Sequence, residues 1–310
     1  MVLSDGPSRV GWATDADRSH SRTLADARSF LLRAFSHDVA HGNEHTRWEQ
    51  AVRYNLELVA ASQRPDGALG AAYAASDARV LDWRDSAGLA WVAPLAAAGK
   101  SWGAASFLRA TQRAGEYYAR FVENEYLCGA PEDVDLAPTS EDGYLALMSY
   151  IALYRADGSS RWLGLAQGAA DWMLTFRYTY DVSFPPHTLF GQYGFRTFGA
   201  DQLSPSNQHL HNFGLICLPE MAELSAALGD PYCRESSRAN LACFRQFVAR
   251  EDGDFDAYRG MVSERFYQTT CFQAKGMLLT LSHSWCLGML LVACEEAIAS
   301  GEDWEEAAWR

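Results

Sequence analysis

Apolar residues recur at steps of three and four along most of this chain, with polar residues filling the intervening positions. That is the period of helices with one buried face. The pattern predicts helices over 22–40, 46–63, 85–98, 101–127, 143–156, 160–176, 206–228, 230–250 and 276–300. In 206–228, Leu210, Phe213, Leu215, Ile216, Leu218, Met221 and Leu224 mark the buried face, and Gly229 ends the run. Met277 to Ala293 is apolar almost all round, which predicts an interior helix. The runs 101–127 and 230–250 carry Arg109, Arg113, Glu116, Arg120 and Arg234, Glu235, Arg238, Arg245 on one face, so they are predicted as outer helices.

The joins alternate. Those at 41–45, 99–100, 157–159 and 229 are tight, whereas 64–84, 128–142, 177–205 and 251–275 are long. If successive helices run antiparallel, every second join lies at one end, so the four long segments are expected at a common rim. A weak repeat accompanies this: Gly99-Lys100-Ser101-Trp102, Gly158-Ser159-Ser160-Arg161-Trp162 and Gly229-Asp230-Pro231-Tyr232 each open an Ala-rich helix. Repeating helical hairpins form either a solenoid or a closed α/α toroid, and the irregular unit length favours the toroid.

Bulk properties narrow the function classes. The 310 residues suffice for a large core, and a 48% hydrophobic content marks a globular chain. A formal charge of −13 argues against nucleic acid or an anionic membrane as the principal partner, without speaking against a small local basic pocket. Residues 1–21 are read as an N-terminal extension and 22–310 as one α/α domain; Asp5, Arg9, Asp15, Asp17 and Arg18 leave no apolar signal-peptide core. No apolar run approaches the roughly 20 residues of a membrane helix. Seven cysteines without CxxC spacing read as buried thiols of a cytoplasmic protein.

The hairpin repeat, the segment Pro138-Thr139-Ser140-Glu141-Asp142-Gly143-Tyr144 and the stretch Asp201-Gln202-Leu203-Ser204-Pro205-Ser206-Asn207-Gln208-His209 resemble the (α/α)6-barrel carbohydrate-active enzymes. That group spans glycoside hydrolases, polysaccharide lyases and sugar epimerases. The resemblance implies an α/α toroid acting on carbohydrate. The predicted helices fall short of the six hairpins of a closed barrel. Missing N-terminal helices, an open ring, or completion by a second copy or companion chain are the alternatives this leaves.

The long segments supply the chemistry. In the first, an Asp66-Gly67 turn and Val80-Leu81 predict a small β-hairpin delivering Trp83 and Asp85 to the rim, where Asp85 or Ser86 equally reads as a helix cap. In the second, Thr139 and Asp142 have capping-box spacing, and sequence leaves open which of Glu141 and Asp142 faces the site. The third offers Tyr193, Arg196, Asp201 and His209 among aromatic residues suited to stacking on sugar faces. His209 and His211, two apart on a predicted helix, diverge by about 200°, so no shared metal is expected. The acidic run Arg250–Asp256 reads as a turn. Beyond it, alternation in an extended segment sends Glu264 and Phe266 one way, Arg265 and Tyr267 the other. Lys275 and Trp285 complete the set, and His283 reads as a core histidine.

The leading expectation is a glycoside hydrolase needing no cofactor, with an acidic sugar such as a uronate among its candidate substrates. Asp142, Asp201 and Glu264 are its acid/base candidates, across a gap of roughly 6.5–9.5 Å if it inverts. Trp83, Asp85, Tyr193, Arg196, His209, Arg265, Tyr267, Lys275 and Trp285 are the substrate-binding candidates. One alternative is a lyase in which Tyr267 and His209 move a proton while Arg265 neutralises an enolate. The other is a non-catalytic helical-repeat scaffold.

Overall fold

The computed structural model describes residues 17–131, 137–206, 208–271, 273–279 and 284–301. They fall into two compact units. The first takes the described residues up to Pro138 together with Leu145–Ala169; the second takes Thr139–Tyr144 and the described residues from Ala170.

The first unit contains α1 (Ser21–Ala40), α2 (Thr46–Ala61), α3 (Val92–Ser101), α4 (Ala105–Glu123) and the larger parts of α5 (Ser140–Asp157) and α6 (Ser160–Leu174). α1 packs on α2 and α3, and both α2 and α3 pack on α4. Leu24, Leu32, Val52, Leu56, Leu89, Trp91, Leu95 and Tyr118 form its core. One buried chain of hydrogen bonds crosses it: Trp91 Nε1 donates to Ser21 Oγ, which donates to the Gly70 carbonyl, whereas Arg28 Nε and Asn55 Oδ1 are buried without a partner. The expected hairpin is present as β2 (Ala72–Ala74) and β3 (Val80–Asp82), with β1 (Arg18–His20) added antiparallel to β2. Ser86 caps no helix. Its hydroxyl donates to the Cys128 carbonyl at 2.8 Å and accepts from the Cys128 N–H at 3.1 Å, tying the first long segment to the start of the second.

The second unit holds α7 (Leu189–Tyr193), α8 (Leu218–Leu228), α9 (Tyr232–Arg245) and α10 (Ser284–Ala299), with α8 against α9 and α10 against both. Its sheet runs β4 (Asp201–Gln202), β5 (Leu210–His211), β6 (Arg265–Tyr267), β7 (Met277–Leu279), antiparallel throughout. The Ser140 N–H donates to the Leu203 carbonyl at 2.9 Å. Within this unit, therefore, the end of the second long segment, the third and the fourth meet.

Several expectations are corrected. The run 206–228 is helical only from its middle: Leu210 and His211 pair as strand with Gln202 and Phe266, a 3-10 turn covers Phe213–Cys217, and α8 begins at Leu218. Its apolar spacing was satisfied by strand pairing, which tertiary context can impose over a helical period. Met277–Leu279 is likewise strand rather than helix. α10 is not interior all round, since Leu291 and Ile298 are exposed. The tight join expected at 99–100 lies at Gly103 in the left-handed region, whereas Gly99 stays inside α3 where a Cβ would press on Leu108. Gly158 and Gly229 do turn the chain as expected, both at positive φ. His283 lies outside the described residues.

Candidate functional site

Two faces of the β4–β7 sheet divide the chemistry. Leu210 pairs with Phe266 and Phe266 with Leu278, so these three share a face; Phe266 is fully buried and stacks on Phe247 with centroids 4.1 Å apart. The register then puts His209, His211, Arg265 and Tyr267 on the opposite face. A strand alternates with period two, so the histidines that a helix would have separated lie side by side, their ring centroids 6.2 Å apart. His209 and Tyr267 rings are 6.3 Å apart.

The electrostatics follow from burial. His209 is 2% exposed. Burial first, and then the charges of His211 and Arg265, push its pKa down to about 3, so its imidazole is neutral at neutral pH. His211 Nε2 lies 2.7 Å from Ser140 Oγ. Arg265 Nε is buried without a hydrogen-bond partner. Beside His211, Asn212 donates from Nδ2 to the Cys286 carbonyl at 2.7 Å, which fixes the amide's orientation and leaves its buried Oδ1 with no partner. The Cys286 thiol is pushed up by burial and then by the carboxylates of Glu264 and Glu141, so both acids approach it.

The acidic candidates separate sharply. Asp142 closes a capping box: its Oδ2 accepts from the Thr139 N–H at 2.9 Å and the Thr139 hydroxyl at 2.7 Å, and its own N–H donates to Thr139 Oγ1 at 3.2 Å. Glu141 accepts from the Tyr144 hydroxyl at 3.3 Å. Asp201 is fully buried and takes Arg177 Nε at 2.8 Å and Nη2 at 2.9 Å, with Asn240 Nδ2 at 3.1 Å. Gly214 must lack a side chain there, because a Cβ would collide with Asp201 Oδ2. Glu264 is half-buried.

The remaining predicted residues are distributed. Tyr193 belongs to an aromatic cluster with Phe195 and Phe255, and its hydroxyl accepts from the Phe255 N–H at 3.0 Å. Arg196 is exposed and paired with Asp181 at 2.8 Å. Lys275 sits 5.6 Å from the Phe184 ring centroid, and Trp285 meets Phe213 edge-on at 6.0 Å. Trp83 and Asp85 belong to the first unit, Trp83 under Arg64 and Asp85 at a positive φ beside Gly129. Ser140, Glu141 and Asn212 were not among the expected site residues. Only Glu141 had a sequence signal; the other two emerge from strand pairing that the spacing did not reveal. No group of three or more His, Cys, Asp or Glu among the described residues could hold a metal ion. No helix among them is long and apolar enough to cross a membrane.

No protein-family model matches the sequence, and no curated protein does. Solved structures do. A sugar epimerase from a ruminal bacterium is 12% identical, with a TM-score of 0.62 over 94% of this chain and 74% of its own. A D-mannose isomerase is 10% identical, with a TM-score of 0.59 over 92% and 72%. A GH76 α-mannanase from Bacteroides thetaiotaomicron is also 10% identical, with a TM-score of 0.59 over 94% and 73%. At such identities the likeness establishes the fold, which is that of the (α/α)6-barrel toroids.

Proposed function

We propose that this chain is a carbohydrate-active enzyme that moves a proton at a sugar carbon next to a carbonyl or carboxylate group. The observation that carries the reading is His209: buried, neutral at neutral pH, and flanked by Arg265 and Tyr267. A neutral imidazole can accept the C–H proton, Arg265 can stabilise the enolate oxygen that results, and the Tyr267 hydroxyl can return a proton. Where that proton lands decides between epimerisation, isomerisation and β-elimination. Two structural neighbours, a sugar epimerase and a D-mannose isomerase, support this chemistry by analogy of fold only.

The second reading is the glycoside hydrolase. Asp142 and Asp201 fit it poorly, since their oxygens serve a helix cap and a buried ion pair. What favours it is the approach of Glu264 and Glu141 to the same thiol, which makes them the acid/base pair to consider.

Incubating the protein with a panel of aldoses, uronates and glycosides in D2O separates the two. The expected result is incorporation of one deuterium at carbon, seen by mass spectrometry and NMR, and its loss in His209→Gln. Release of free sugar without carbon exchange would replace this reading with hydrolysis.

A further inference from the structure

We infer that the site selects a sugar acid, with Arg265 receiving the carboxylate and Asn212 Oδ1 accepting a hydrogen bond from a neighbouring hydroxyl. This rests on the function proposed above and adds the substrate class. Four cations were expected near the chemistry or are found there, and three are spoken for. Arg177 is locked to Asp201, Arg196 to Asp181, and Lys275 lies over the Phe184 ring. Arg265 forms no ion pair among the described residues, and its Nε is buried without an acceptor. Arg265 is half-buried, and its buried Nε with an unmade bond costs stability; a planar carboxylate is the group whose geometry meets the guanidinium fork.

Asn212 has the complementary defect. It is 1% exposed, its Nδ2 is committed to a carbonyl that can only accept, and its Oδ1 is left requiring a donor. Sugar hydroxyls are such donors. The Leu210–Phe266 register sets Arg265 across from His211, and Asn212 is the next residue along the chain. A ligand carrying a carboxylate beside a hydroxyl satisfies both, whereas a neutral sugar satisfies one. An anion at Arg265 also cancels one of the charges that hold His209 down, so the seated substrate strengthens its own base.

Titration calorimetry with D-glucuronate, D-galacturonate and the matching neutral aldoses tests this. The uronates are expected to bind the wild-type protein more tightly than the aldoses by about tenfold to a hundredfold, the size of a charge-assisted hydrogen bond. Arg265→Gln should erase that ratio, uronates and aldoses then binding the variant alike. Arg265→Lys should retain part of it, and Asn212→Ala should weaken both classes together. Melting curves of each variant identify any that fail to fold, and the ratio is read within one protein. Equal binding of acids and aldoses by the wild-type protein overturns the inference and leaves proton transfer standing. Selective uronate binding without deuterium exchange does the reverse. Absence of binding by every sugar overturns both.

Discussion

In the β1–β3 sheet, Asp82 accepts hydrogen bonds from Arg18 at 3.0 Å and from Arg84 at 2.7 Å, and Arg84 is more than half exposed. In the β4–β7 sheet, polar side chains are buried and fall into two sorts. Asp201 and Arg177 saturate one another, while Arg265 Nε, Asn212 Oδ1, Gln268 Oε1 and Asn240 Oδ1 have unmade bonds. Burial makes such an omission expensive. The contrast separates an ion pair that holds the structure from groups with bonding capacity left over. It does so better than residue type does, since an arginine appears on both sides of the divide.

The largest effect expected from that division is at the saturated buried pair. Arg177→Met leaves the buried Asp201 carboxylate with the Asn240 amide as its side-chain donor, and breaking a buried ion pair costs about 3–5 kcal/mol. Urea unfolding should show a midpoint lowered accordingly. A loss below about 1 kcal/mol would mean that the pair is not the anchor of β4 that its geometry describes.

The helices were legible because their cause is local. Thr139 and Asp142 have the spacing of a capping box and form one; Gly158 and Gly229 have the residue type for left-handed turns and make them. The second sheet was illegible because its strands are two or three residues long and paired across large sequence distances, such as Leu210 with Phe266. So brief a segment carries no period of its own. The cost fell on the site: treating 206–228 as helix parted His209 from His211, whereas the strand joins them. Alternation did succeed at 264–267, where Phe266 is buried opposite Arg265 and Tyr267 as the extended reading required. Glu141 and Asp142 could not be told apart from sequence, because both acids at a helix start look like caps until hydrogen bonds assign the role.

A smaller effect sharpens the comparison through pH. His209 has its folded pKa lowered to about 3, against about 6.5 in the unfolded chain. Between these values the unfolded chain binds a proton that the folded one refuses, so stability falls as pH is lowered through that window. The slope is at most about 1.4 kcal/mol per pH unit. His209→Gln should therefore lose less stability than wild type on going from pH 7 to pH 5 in chemical denaturation. Parallel curves would place His209 in a wetter setting than its burial indicates.

The smallest effect belongs to the first sheet and has a different window. Burial works to raise the Asp82 pKa, but hydrogen bonds from Arg84 and Arg18 overcome it and hold the carboxyl well below its ordinary 3.8. A depressed carboxylate stabilises the fold above the unfolded pKa, and the contribution fades as pH falls below about 4. Because Arg84 is 59% exposed, solvent screening keeps the worth of the cluster near 0.5–1 kcal/mol, in the usual range for exposed pairs, about 0.2–1 kcal/mol. Asp82→Asn should then cost this amount at pH 6 and progressively less as pH falls below about 4 toward the folded pKa, and added salt should shrink the difference at pH 6. The two sheets thus lose stability to acid in separate stages, His209 first and Asp82 last. A penalty for Asp82→Asn that persisted undiminished at pH 3, or that ignored salt, would show the first sheet to rely on packing at that position rather than on charge.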